Sequence, residues 1–375
     1  MKKFWGIIGL VTLFLVRGGA GELEFDFTCS YDHSVQKAAA YVPDRIPEKS
    51  KLPLLVVAHY MGGNRFTARS QGYYQECEKR QWLVVCPELH GANTPGITSC
   101  AALPAQHDIL DSIEYMKQKY PVDEHRIYIA GRSMGGMMTA VMMAKYPDLF
   151  AAGVAGQGVY DLSTMTSTPE IMKAIQAECG TPETRPFDCL RRSAVNYAPN
   201  FKYAPLIMWH GTNDTWVPTS QSETLYNAIV KYHRFQLPVY YLTGACHCEG
   251  NYTAAWECDQ LQYYHNQGEA GIGVSTRFFS ELELVTDEAK SFFWLALQPD
   301  RPNEFSRLKA VIGPDGLIKL NCENLARVTV NLDRLAKSVK ITGYELRTDS
   351  KTVLDFSKDG KPVDGITGKT TAGTR

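Results

Sequence analysis

A serine between two glycines, an aspartate and a histidine are the residues of this chain whose types and order could perform covalent chemistry. The serine is Ser133, in Gly131-Arg132-Ser133-Met134-Gly135. A serine hydroxyl is a poor nucleophile unless a base takes its proton and an acid orients that base. Asp214 follows the apolar run from Pro205 to His210, and His247 follows the run from Pro238 to Leu242. The chain order Ser, Asp, His, each just past a strand, predicts Ser133 as nucleophile, His247 as base and Asp214 as its orienting acid. His59 and His210 also end apolar runs, but they precede the serine or the acid and suit supporting roles. The plainer readings are a tight turn that happens to contain Ser133, and a His247 held structurally between Cys246 and Cys248.

Attack on a carbonyl builds charge on oxygen, which needs backbone N–H donors already in place. Met134, next to the nucleophile, is one predicted donor. Met61, with Tyr60 as the alternative, is the other, in the loop His59-Tyr60-Met61-Gly62-Gly63. Trp216 and Tyr60 are candidate flat surfaces for an aromatic acyl group or a sugar ring, with core packing as the competing role. Protein groups supply every part of this chemistry, so neither a cofactor nor a metal is expected. A zinc reading of Cys246-His247-Cys248 fails on spacing, which is too tight for paired ligands.

These residues need a scaffold that presents strand ends side by side. Leu52–His59, Trp82–Cys86, Arg126–Ala130, Ala151–Ala155, Pro205–His210 and Pro238–Leu242 are continuous apolar runs, as in parallel strands buried on both faces. Helical patterns lie between them at Ala105–Tyr120, Met134–Tyr146 and Ser220–Tyr232, with another at Thr286–Leu297. The alternation predicts an α/β fold with a doubly wound, mostly parallel sheet. Ser133 falls at a strand–turn–helix corner, where flanking glycines let the chain turn sharply and leave Oγ exposed. Past the Pro-containing linker at 298–303, short alternating runs predict a small all-β appendage over 304–375. Its last ten residues are expected to fray.

The first twenty residues read as a signal peptide. Lys2 and Lys3 precede an apolar run of about thirteen residues, too short for a bilayer, which needs ~20. Gly18 and Ala20 then supply the small residues of a cleavage site. The expectation is therefore a secreted protein, extracellular or periplasmic, without stable membrane anchoring, whose catalytic domain runs over 21–297. Ten cysteines, all beyond the leader, read as disulfides. The cysteines flanking His247 are expected to be cross-linked, with Cys258 the nearest downstream partner, and Cys179 with Cys189 could close a separate loop. A net charge of −1 gives no sign of a nucleic-acid partner.

The stretch Val122-Asp-Glu-His-Arg-Ile-Tyr-Ile-Ala-Gly-Arg-Ser-Met-Gly-Gly-Met-Met-Thr-Ala, with Tyr146-Pro-Asp-Leu-Phe-Ala-Ala after it, resembles extracellular polyhydroxybutyrate depolymerases and carbohydrate esterase family 1, which includes feruloyl and acetylxylan esterases. His210-Gly-Thr-Asn-Asp-Thr-Trp-Val-Pro with Ser220-Gln-Ser is similar to prolyl-oligopeptidase-like hydrolases. Those esterases usually carry His-Gly where this chain has His59-Tyr60. The resemblance covers about residues 50 to 297 and implies an α/β-hydrolase with the same three residues. It implies a carboxylesterase acting on plant-polysaccharide acyl esters or on a polyester, so the expected partner is an ester substrate, polymeric or small. The alternatives are a prolyl-oligopeptidase-like peptidase, a lipase and a non-catalytic binding module. The short stretch before the first core strand leaves no room for a gating propeller, and no greasy lid segment stands out, so the esterase reading leads.

Overall fold

The computed structural model describes residues 21–90, 100–232, 239–247, 252–269 and 278–373, with backbone alone for 266–269. The leader and Cys248 lie outside the described residues. An eight-stranded sheet forms the larger layer. Its strands are β1 (Gly21–Thr28), β2 (Val35–Val42), β3 (Leu52–Ala58), β4 (Leu83–Pro87), β5 (Val122–Arg132), β6 (Ala152–Gly156), β7 (Leu206–Gly211) and β8 (Val239–Leu242). They run in the order β1-β2-β4-β3-β5-β6-β7-β8. From β4 to β8 all pairings are parallel, and only the β1–β2 hairpin joins antiparallel. All seven residues of β3 are buried, as are those of β4, β6 and β7. Each fully buried Leu or Val there contributes about 1.5–3 kcal/mol.

Helices cover both faces, which is why these strands need no polar side. The helices in chain order are α1 (Thr67–Ser70), α2 (Tyr73–Arg80), α3 (Leu103–Lys119), α4 (Met134–Lys145), α5 (Pro169–Cys179), α6 (Pro186–Arg191), α7 (Ser220–Ile229) and α8 (Ala254–Glu269). Helices α3, α4 and α7 pack their apolar residues into one core, and α2 and α8 into the other. Helix α3 starts with a proline in its first turn and ends before Pro121, as expected of a residue that cannot continue a helix. The predicted α/β fold is therefore present, with an antiparallel hairpin added at one edge.

The C-terminal region departs from expectation at two places. The predicted helix over Thr286–Leu297 is strand instead. It falls in the end of β9 (Glu281–Thr286), then β10 (Lys290–Phe292) and β11 (Leu295–Pro299). Strand β9 pairs with β12 (Ser306–Ile312), and β11 pairs with β14 (Leu325–Asn331). The β-rich unit thus starts at Glu281 and not at 304. The physical reason is tertiary: Phe292, Trp294, Leu295 and Leu297 enter the appendage core, and Phe293 at φ 50° interrupts any helix. The remaining strands are β13 (Leu317–Glu323), β15 (Gly343–Thr348), β16 (Val353–Lys358), β17 (Lys361–Pro362) and β18 (Gly368–Ala372). They complete two five-stranded sheets, β10-β11-β14-β16-β17 and β18-β15-β13-β12-β9. The tail expected to fray supplies β18, an exposed edge strand parallel to β15.

Candidate active site

The three candidate residues follow the parallel strands β5, β7 and β8, with β6 between the first two. Ser133 follows β5 and caps α4, with φ 56° and ψ −120°. That left-handed φ is unusual for a residue with a side chain and stores strain that surrounding contacts must hold. Gly131 and Gly135 make the corner possible. A Cβ on Gly131 would run into the Gly135 backbone, and one on Gly135 into the Ala58 carbonyl. The Ser133 N–H donates to the Gly156 carbonyl at 2.8 Å, tying the corner to β6.

His247 Nε2 lies 2.9 Å from Ser133 Oγ, and its Nδ1 lies 2.6 Å from Asp214 Oδ2. Asp214 Oδ1 accepts the backbone N–H groups of Trp216 and Val217, each at 2.9 Å. Burial works against the Asp214 carboxylate. Hydrogen bonds from His210, His247 and the Val217 N–H outweigh it and hold the pKa well below the usual carboxylate range. An Asp that stays charged keeps His247 Nδ1–H pointed at it and leaves Nε2 free to take the serine proton. His210 plays the supporting part expected of it, with Nε2 3.3 Å from Asp214 Oδ2 and Nδ1 2.8 Å from Ser222 Oγ.

The histidine loop is held by backbone contacts to the aspartate loop. Asn213 N–H donates to the Ala245 carbonyl at 2.9 Å, and Gly244 N–H to Thr212 Oγ1 at 2.7 Å. Gln157 Nε2 reaches the Cys246 carbonyl at 3.2 Å. The expected cross-link to Cys258 is not made. Cys258 is in no disulfide and faces Cys77 across α2 and α8. Cys179 and Cys189 likewise form no disulfide with each other: the Cys179 thiol meets Cys100, while Cys189 Sγ donates to the Cys179 carbonyl. The sequence-nearest cysteine was the wrong guide, because α2 and α8 pack side by side although far apart in the chain.

Met134, Met61 and Tyr60 line the same cavity as Ser133. Met134 is the first residue of α4, so its N–H has no intrahelical acceptor and is available to an oxyanion. Buried His59 braces the opposite loop, with Nδ1 2.9 Å from the Tyr60 carbonyl and Nε2 2.9 Å from the Glu88 carbonyl. Gly63 N–H donates to the same Tyr60 carbonyl at 2.8 Å, curling the loop. Trp216 is half exposed at the mouth, its ring 5.1 Å from that of His247.

Sequence reasoning missed the cavity wall and the brace beneath the elbow. The cavity, about 160 Å³, is closed by Met137, Val159, Leu162, Ile171 and Ile175, among others. Ile171 and Ile175 belong to α5, whose start was written in Thr168-Pro169. Thr168 Oγ1 accepts the Ile171 N–H, and Gly180 ends the helix at φ 72°. Beneath the elbow, Arg132 Nε donates to buried Glu257 on α8 at 3.1 Å and Nη2 to the Tyr252 carbonyl at 2.8 Å. Glu257 also takes Trp209 Nε1 at 3.2 Å and the Tyr73 hydroxyl. Burial raises its carboxyl even so. No local signal announces a glutamate so far along the chain as the partner of Arg132.

The prolyl oligopeptidase family profile matches residues 104–268. An acetylxylan esterase of Coprinopsis cinerea is 30% identical over 46% of this chain and 48% of its own length. Acetylxylan esterase A of Aspergillus oryzae is 30% identical over 55% of this chain and 69% of its own. The mouse acylamino-acid-releasing enzyme is 24% identical over 50% of this chain, which spans only 27% of that enzyme's length. Among solved structures, a ferulic acid esterase superposes with a TM-score of 0.50 at 15% identity, over 66% of this chain and 97% of that one. Pyrococcus horikoshii acylaminoacyl peptidase gives 0.53 at 20%, over 69% and 43%. On the shared fold, the ordered elbow and the match across most of the Aspergillus protein, the chain belongs to the α/β-hydrolase family of the acetylxylan esterases, with prolyl-oligopeptidase-like features.

Proposed function

We propose that this protein is an exported serine esterase that cleaves carboxylic esters through an acyl-enzyme on Ser133. The observation that carries the reading is the unbroken relay from Asp214 through His247 to Ser133 Oγ, opening onto an apolar cavity. His247 Nε2 takes the Ser133 proton as Oγ attacks the carbonyl, and Asp214 stabilises the imidazolium that forms. The N–H of Met134 and that of Met61 or Tyr60 receive the oxyanion. His247 then returns the proton to the leaving alkoxide, and water repeats the sequence to release the acid.

The cavity argues for the ester. Among the described residues its lining carries no Asp, Glu, Lys or Arg, so an apolar acyl group gains from burial there while a peptide's ammonium finds no partner among them. Trp216, exposed at the mouth, offers a flat face to an aromatic acyl group or a sugar ring. Acetyl or feruloyl groups on a plant polysaccharide fit these features, and the esterase relatives support them. A polyester is the second candidate, and the appended sheets would help hold a polymer. The family profile and the acylaminoacyl peptidase likeness favour one competitor, a peptidase. Comparing kcat/KM for acetyl and feruloyl esters with a prolyl anilide of similar size separates the two. Faster ester cleavage is expected, and a higher value for the anilide would overturn the esterase reading. Export rests on the leader, and a mature chain beginning at Gly21 would bear it out.

A further inference from the structure

A second cluster of reactive side chains lies away from Ser133, where the turn after β1 meets α3 and the residues after β4. Cys29 Sγ, a carboxylate oxygen of Asp32 and a ring nitrogen of His90 all lie within 4.8 Å of one another. His90 Nε2 is 3.0 Å from Asp32 Oδ2, and its Nδ1 is 3.4 Å from Asp108 Oδ1. Asp108, on α3, is fully buried, and its other oxygen has no hydrogen-bond partner. Cys29 is buried as well, and its thiol faces the Asp108 carboxylate, the backbone of Tyr31 and Asp32 and, at 3.8 Å, the Pro104 carbonyl. A buried carboxylate whose polar neighbours are a thiol and an imidazole is an unusual and costly arrangement.

Thiolate, imidazole and carboxylate together are the ligand set of zinc and its first-row neighbours. We propose that Cys29, Asp32 and His90 bind one divalent transition-metal ion, zinc being the best match, with Asp108 as the positioning residue behind His90. Asp108 Oδ1 accepts a hydrogen bond from His90 Nδ1–H and turns Nε2 toward the ion, the carboxylate–histidine–metal relation common at such sites. Cys29 loses its proton to solvent as the sulfur–metal bond forms. Thiolate and Asp32 carboxylate then balance the two positive charges, and water fills the fourth position. A tetrahedral zinc site holds its ligand atoms about 3.5 Å apart, so the cluster has to tighten a little. Asp32 lies on the surface turn and can move to do so. The ion would staple the β1–β2 turn to the residues just after β4, with α3 behind them through Asp108. No spacing motif links residues 29, 32 and 90, which is why the sequence alone suggested no metal.

Full-length protein, stripped with a chelator and kept under a phosphine reductant, is titrated with cobalt(II) alone and with zinc(II) alone. One equivalent of cobalt should raise a thiolate-to-metal charge-transfer band that zinc abolishes. Cys29→Ser should remove the band, and Asp108→Asn should weaken affinity about 10- to 100-fold. Should Cys29→Ser fail to fold, Asp32→Asn at the surface carries the test, with affinity expected to fall at least about ten-fold. The proposal is overturned if the stripped protein takes up no stoichiometric metal. A band that survives Cys29→Ser, or an Asp32→Asn variant that binds as tightly as the wild type, would overturn it equally.

Discussion

The two ends of α4 are built from the same helix and do opposite work. At its N-terminus Ser133 sits in strained backbone with one hydroxyl hydrogen-bonded to His247, exposed to a cavity. At its C-terminus Lys145 is buried and bonded to Asp287 at 2.9 Å and Glu288 at 2.9 Å, with Arg191 adding 2.7 Å to Asp287. Lys290 joins Glu288 at 2.9 Å and lies 3.7 Å over the Tyr146 ring. Beside this cluster Asn200 spans the boundary, donating to the Ala144 and Val285 carbonyls and accepting the Val285 N–H, each at 2.8 Å. One end is strained and open, so it can react. The other is held by buried ion pairs and clamps the hydrolase sheet to the β-rich unit. A lysine also suits a helix C-terminus, where the dipole is negative. Reactivity and stability are thus assigned to opposite ends of one element, and substitutions should separate them.

The largest effect belongs to the open end. Ser133→Ala should lower turnover by about 10⁶-fold while leaving the melting temperature unchanged or higher, since the strained corner loses only a hydroxyl. Calorimetry beside an ester assay checks both halves. Asp214→Asn should lower kcat by about 10⁴-fold, because the amide can favour the wrong imidazole tautomer. A drop of less than ten-fold would remove Asp214 from the relay.

The clamped end should answer the other way. Asp287→Asn leaves Lys145 and Arg191 short of a buried counter-charge and should cost about 3–5 kcal/mol of stability. Activity per folded molecule on a small ester should stay within two- or three-fold, as the substitution does not touch the relay. If activity falls in step with stability measured by denaturant, the two ends are not independent. By the same logic, deleting the chain from 279 onward should destabilise the hydrolase sheet. That cut, and not one near Gln298, removes the β-rich unit whole.

The smallest effect is a pH dependence. Burial first, and then repulsion from Lys145, pulls the Lys290 pKa from 10.5 down to about 8, against the pull of Glu288 and Asp287. Between about 8 and 10.5 the unfolded chain still holds that proton while the folded chain has lost it, so this group's contribution to stability rises with pH there. Below about 8 both states are protonated and the contribution is flat. The difference in unfolding free energy between wild type and Lys290→Met should therefore change across that window and not between pH 5 and 7.

What could be read in advance follows the same division. The elbow was legible because its chemistry is local: two glycines, a strand before, a helix after. Asp214 and His247 were legible because chain order and strand ends are local too. The clamp was not. Asp287, Lys290 and Phe292 lie in a stretch whose apolar residues suit a helix face as well as a strand, and pairing with β12 and β14 decided it. Likewise Gly368–Ala372 has no apolar residue at four of its five positions, and only backbone pairing with β15 makes it a strand. Glu257 beneath Arg132 and Cys258 beside Cys77 depend on α8 packing against α2, a contact that no local pattern encodes.

The central claim is that Ser133 is the acylated nucleophile, and active-site labelling tests it most directly. Native protein is treated with a fluorophosphonate, digested and mapped by mass spectrometry, alongside the His247→Ala variant. The account predicts one adduct, on Ser133, formed in step with loss of esterase activity and much slower in the variant. An adduct on another residue, or full labelling of Ser133 with activity retained, would contradict it.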